Sequence, residues 1–170
     1  MNVEDFKKLN GTGPFALFKD GLWCEARIEG GAALAEGAAL DLSSAEWDSA
    51  SACGDGFILL ACPVKDLLKG GAALAKLTGR RDLMLWHDRF DRKGRLAKHS
   101  LERATLRETA IPHLYEADLD GDAVSVFPGF VREKAQNGCG EYLFWRVEEE
   151  DGTAEEFRLY VLDGKYRNNT

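Results

Sequence analysis

The stretch FILLACPVKDLLKGGAALAKLTGRR, residues 57–81, passes from a short apolar run into an amphipathic one across a proline. Residues 57–61 read as a buried strand, and Pro63 stands where a helix begins, a position that needs no backbone N–H. At about 100° per residue, with Lys65 as zero, Lys76 falls near 20° and Lys69 near 40°. Arg80 falls near 60° if the helix reaches it. Val64, Leu67, Leu68, Leu74, Ala75 and Leu77 occupy the arc from roughly 120° to 300°. The pattern predicts a helix over 63–77 with Leu67, Leu68 and Leu74 buried and Lys65, Lys69 and Lys76 exposed. Gly70 and Gly71 sit in the middle of it. Each costs about 1 kcal/mol against alanine in a helix interior, so either the helix breaks there or a neighbour packs closely.

A one-sign stripe is unexpected in this chain. Its 170 residues carry a formal net charge of -7, with 45% hydrophobic and 30% charged residues. That composition is of the ordinary globular kind. The acidity argues against a protein that coats DNA everywhere, but is compatible with a local basic surface. No run of about 18 apolar residues is present to span a membrane, and the start MNVEDFKKLNG lacks the apolar core of a signal peptide. A cytoplasmic protein is expected. Cys24, Cys53, Cys62 and Cys139 have no CxxC spacing, which predicts reduced thiols and neither zinc nor another cofactor.

Working outward, residues 3–9 read as a short helix carrying Lys7 and Lys8. FALFKDGLWCEARIEG reads as two strands about a Lys-Asp-Gly turn. GGAALAEGAALDLSSAEW is ambiguous, alanine-rich like a helix but broken by Gly30, Gly31 and Gly37. GGAAL recurs at 70–74, a weak sign of duplication. DLMLWHDRF and RLAKHSLERATL flank a turn at DRKG, and AVSVF is a strand. GFVREKAQ predicts a third short helix carrying Arg132 and Lys134. EYLFWRVEE and EEFRLYVLD flank a turn at EDGT. Asp-Gly pairs at 20, 55, 120, 151 and 163 fit a hairpin-rich chain. The expected fold is α+β: antiparallel sheet with two or three short helices. The organisation expected is one compact domain, with an N-terminal hairpin region at 1–55 and further segments at 56–122 and 123–170.

Strand, helix and hairpins in this order, with helices leaning basic and hairpins acidic, resemble the bacterial DNA sliding clamp, the beta subunit of DNA polymerase III. FILLACPVKDLLKGGAALAKL is similar to the strand and inward-facing helix of that family. Ser100, Ala104, Thr105 and Leu106, then Ile111, Pro112 and Leu114, resemble its strand and linker. EYLFWRVEEEDGTAEEFRLYVLDG is similar to its later hairpin, with Leu162 where threonine is usual. The resemblance covers residues 56–167 and implies clamp-like half-repeats at 56–122 and, incomplete, at 123–170. It also implies assembly into a ring, as a homo-oligomer around duplex DNA. Lys65, Lys69, Lys76, Arg80, Arg132 and Lys134 would then contact phosphates without reading bases.

The alternative is an acidic protein-interaction module, such as a phage-type inhibitor or virion accessory protein, with Glu148, Glu149, Glu150, Glu155 and Glu156 meeting a protein partner. Enzymatic groupings are weaker. His87 and Asp88 would point to opposite faces of a strand, and His99 and His113 have no spaced partner. Asp91 reads as a turn residue. DLDGD at 118–122 lacks the rest of a calcium loop. Gly138-Cys139-Gly140 reads as a tight turn, and GTGP at 11–14 is too short for a phosphate loop. A non-enzyme is expected.

Overall fold

The computed structural model describes residues 1–136 and 140–162. Cys139 and the Asp163-Gly164 pair, both singled out above, lie outside the described residues. The contacts divide the chain into two units, Met1–Leu67 and Leu68–Thr170.

The first unit opens with α1 (Val3–Asn10). Asn2 caps it, its side chain accepting from the Asp5 backbone N–H at 3.0 Å. Seven strands follow: β1 (Phe15–Lys19), β2 (Leu22–Glu29), β3 (Ala32–Ala35), β4 (Ala38–Asp41), β5 (Glu46–Trp47), β6 (Ser51–Gly54) and β7 (Phe57–Leu60). They form one antiparallel sheet in the order β4-β3-β2-β1-β7-β6-β5. Leu22, in the same alternation at the start of β2, is a correction: it is 73% exposed, whereas Phe15, Leu17, Ala26 and Ile28 are buried. Phe6 of α1 is fully buried among them, with its ring 5.5 Å from Phe15 and 5.0 Å from Trp47.

The ambiguous alanine-rich segment is the β3–β4 hairpin. Glu36 and Gly37 turn it with φ of 47° and 78°. Two consecutive positive φ values make the two-residue turn whose twist suits a hairpin, and alanine tolerates either structure. Asp20-Gly21 and Asp120-Gly121 turn in the same way.

Helix α2 (Val64–Ala75) begins in the first unit and runs into the second. Its strands are β8 (Leu83–Phe90), β9 (Leu96–Glu108), β10 (Tyr115–Leu119), β11 (Asp122–Val126), β12 (Arg132–Gln136), β13 (Gly140–Glu148) and β14 (Ala154–Val161). Their order is β11-β10-β9-β8-β14-β13-β12. This repeats the first sheet strand for strand: a four-strand meander, a return to the far side, and a three-strand meander whose last strand pairs with the first. Each sheet is preceded by one helix. The GGAAL recurrence does not mark this repetition, since its first copy enters β3 and its second lies in α2.

The α2 reading holds for Leu67 and Leu74, both fully buried, and for Lys65, Lys69 and Lys76, all exposed. Leu68 is a correction: it is 46% exposed. At about 300° it sits at the limb of the apolar arc, whereas Leu67 and Leu74 sit near its centre. The glycine question resolves as close packing. A Cβ on Gly70 would overlap the Pro128 carbonyl, and one on Gly71 would lie 3.3 Å from the His113 ring. The helix therefore continues through both.

The expected third helix is also corrected. Pro128–Phe130 is a single 3-10 turn, and Arg132–Gln136 is strand β12. Its residues are fair helix formers, but β13 offers an open edge, and pairing from Arg132↔Phe144 to Gln136↔Gly140 satisfies the backbone. A charged strand at a sheet edge also discourages further pairing. The second core lies on one face of this sheet. There Leu74 meets Leu83, Leu85, Leu143 and Leu159, and Trp145 stacks on Phe157 at 5.0 Å.

Candidate functional site

Directly opposed residues in an antiparallel pair share a face, so the register of the second sheet shows what lies on the face away from Leu74. One row across it is Arg132–Phe144–Arg158–Trp86–Leu101. The next is Lys134–Tyr142–Tyr160–Met84–Arg103. These two rows hold four cations, four aromatic residues, Met84 and Leu101, and no carboxylate of their own, although Arg158 is paired with Asp88 and Glu156 of the next row. An antiparallel sheet usually turns one apolar face to its core and a polar one to solvent. This sheet is rich in large apolar groups on both.

Arg158 ties the first row together. Its guanidinium lies 5.5 Å from the Trp86 ring centre and 5.9 Å from that of Phe144, an arrangement worth about 0.5–1 kcal/mol per contact at exposed sites. Trp86 and Phe144 are half-buried, while Arg103, Arg132, Lys134 and Leu101 are exposed. A third row, Arg146–Glu156–Asp88–His99, borders the patch with two carboxylates that are paired with basic side chains. Asp88 is buried at 7% exposure. It accepts from Trp86 Nε1 at 2.9 Å and Arg158 at 3.3 Å, and its Oδ1 lies 2.6 Å from His99 Nδ1. Burial alone would raise the Asp88 carboxyl. The hydrogen bonds from His99, Trp86 and Arg158 outweigh burial and hold it below the usual carboxylate range.

Asp88 thus stabilises the fold as an anion. Its contribution is present above the unfolded value of about 3.9 and is lost as pH falls through its lower folded value. Asp88→Asn is expected to destabilise the second unit by about 1.5–3 kcal/mol at neutral pH, the range for hydrogen bonds to a charged group. The gap to wild type should narrow in acid. Thermal unfolding from pH 7 downward checks this, and a gap that stays constant would contradict it.

His99 was expected to stand alone. The hairpin carries a bulge between Arg89 and Phe90, which slides the register by one and sets His99 opposite Asp88 instead of His87. His87 and Asp88 do face opposite ways. His87 stacks on Phe157 at 4.3 Å and pairs with Glu155 at 2.9 Å on the core side.

The other expected site residues are scattered. Lys65, Lys69 and Lys76 are exposed, with no ion pair to a described residue. Lys76 lies just past the end of α2. Arg80 is held in a two-pronged pair with Asp82 at 2.9 and 2.7 Å. Among the acids, Glu155 pairs with His87 and Arg89, Glu156 with Arg146 and Arg158, and Glu148 with Arg146. Glu149 closes the β13–β14 turn through its backbone, and Glu150 is exposed beside it.

The second unit also contains a cavity of about 370 Å³ where Leu68, Ala72 and Ala75 of α2 face Ile111, His113 and Tyr115. Among the described residues no three His, Cys, Asp or Glu side chains are grouped to hold a metal. Burial first, then neighbouring carboxylates, push the Cys24 and Cys53 thiols up, which disfavours the reactive thiolate. No helix among the described residues is long and apolar enough to cross a membrane. No protein-family profile, curated protein or solved structure matches the chain.

Proposed function

We propose that this chain is a non-enzymatic nucleic-acid-binding module that grips phosphates without reading base sequence. The observation that carries the reading is the pair of adjacent rows on the second sheet, with four cations and no carboxylate, in a chain of net charge -7. A basic patch maintained against an acidic background serves a polyanion. The exposed lysines of α2 offer further phosphate contacts, and duplex DNA is their expected ligand. Non-enzymatic is supported by how the histidine–carboxylate pairs are occupied. Asp88 is taken up by Trp86, Arg158 and His99, and His87 by Phe157 and Glu155.

Titration with labelled DNA tests this. Binding is expected at low salt, indifferent to sequence, weakening about 40- to 150-fold on duplex between roughly 50 and 200 mM salt if three or four phosphates are neutralised. Absence of binding to duplex and to single strands at low salt would overturn the reading. The sliding-clamp resemblance adds assembly into a ring to the proposal. Mass in solution with closed circular duplex tests that part: a lone monomer on DNA argues for an open contact surface instead.

A further inference from the structure

We infer that the basic aromatic face of the second sheet is built for single-stranded nucleic acid. The inference rests on the nucleic-acid reading above and narrows it. A duplex presents phosphates and sugars and hides its base faces. Against it, the cations of this patch would find partners, but Trp86, Phe144, Met84 and the exposed Leu101 would meet only hydrophilic backbone. A single strand presents both chemistries at once. Its phosphates pair with cations, and its unstacked bases lie on aromatic and guanidinium surfaces. The patch has that composition in alternation: Arg132, Phe144, Arg158 and Trp86 follow one another across four strands.

Charge also decides against two other occupants. A second copy of the same face would oppose four cations with four cations. A purely acidic protein segment would satisfy the cations and leave the aromatic and apolar groups uncovered. The third row places Glu156 and Asp88 beside Arg146 and His99, so the run of cations without a carboxylate ends there. Asp88 holds Arg158 and Trp86 in place from below that boundary.

The test compares a labelled oligothymidine of about 20 nucleotides with a duplex of the same length. Three variants are measured beside the wild type. Arg103→Glu with Lys134→Glu reverses exposed charge on the face, where substitutions away from packed features leave stability nearly unchanged. Lys69→Glu with Lys76→Glu does the same on and just beyond α2. Trp86→Leu removes an aromatic surface, and Trp86→Phe restores one and controls for folding.

The expected results are tighter binding of the single strand than of the duplex, at least tenfold weakening of single-strand binding by the sheet pair, and a loss from the α2 pair that falls on the duplex. Trp86→Leu should weaken single-strand binding about tenfold, the share of roughly one stacked base, and Trp86→Phe should recover most of it. Binding that prefers duplex and is lost only in the α2 pair would overturn this inference and leave the nucleic-acid reading standing. Failure of both ligands to bind would overturn both. A polyglutamate peptide binding as tightly as the oligonucleotide, or a dimer that buries this face, would also overturn the inference.

Discussion

Gly70→Ala should destabilise the second unit, although alanine is the better helix former by about 1 kcal/mol. The added methyl group would overlap the carbonyl of Pro128, which belongs to a 3-10 turn whose Pro128 and Gly129 are both buried. Backbone cannot rotate aside as a flexible side chain can, so either α2 lifts or the turn between β11 and β12 shifts. Overpacking of this kind costs about 1–3 kcal/mol and sometimes more. With the helix gain set against it, the expected net effect is a loss of up to about 2 kcal/mol. Chemical denaturation of the variant checks it. A gain in stability would mean that the helix and the turn do not touch.

Phe6→Ala should have the larger effect, in the first unit. Phe6 is the fully buried residue of α1 and makes ring contacts with Phe15 and Trp47. Truncating a buried phenylalanine costs about 3–5 kcal/mol. Here it also removes the anchor that holds a helix of only eight residues, too short to persist in isolation. Loss of helical signal together with altered fluorescence near Trp47 is expected. An unchanged unfolding midpoint would contradict the packing described.

What the sequence makes legible follows from which forces act locally. The β1–β2, β8–β9 and β13–β14 hairpins are readable because apolar alternation and turn residues agree. The GFVREKAQ segment is not, because its helix propensity is local and the edge that overrides it, 140–144 of β13, lies outside the segment. Leu68 shows that a helical wheel locates the centre of a buried face better than its margins. The GGAAL recurrence does not announce the shared strand order of the two sheets, since equivalent strands need only equivalent patterning.

The site is half legible in the same way. Arg132 and Lys134 stand out by charge, but their neighbours do not. Phe144, Arg158 and Trp86 lie 14 to 72 residues apart in sequence and meet only through the β13–β14–β8 register. The Asp88–His99 pair depends on one bulge. A count outward from the DRKG turn that assumes a regular ladder places His99 opposite His87, on the wrong face.

The most direct test of the central claim is the indole N–H signal of Trp86 in a 15N-labelled protein, followed as a single-stranded oligonucleotide is added. Trp86 donates that N–H to Asp88 on the basic face, whereas Trp145 lies in the core on the other side of the same sheet. The Trp86 signal is expected to move progressively to saturation while that of Trp145 stays in place. A Trp86 signal that remains stationary at oligonucleotide concentrations where binding is complete would contradict it.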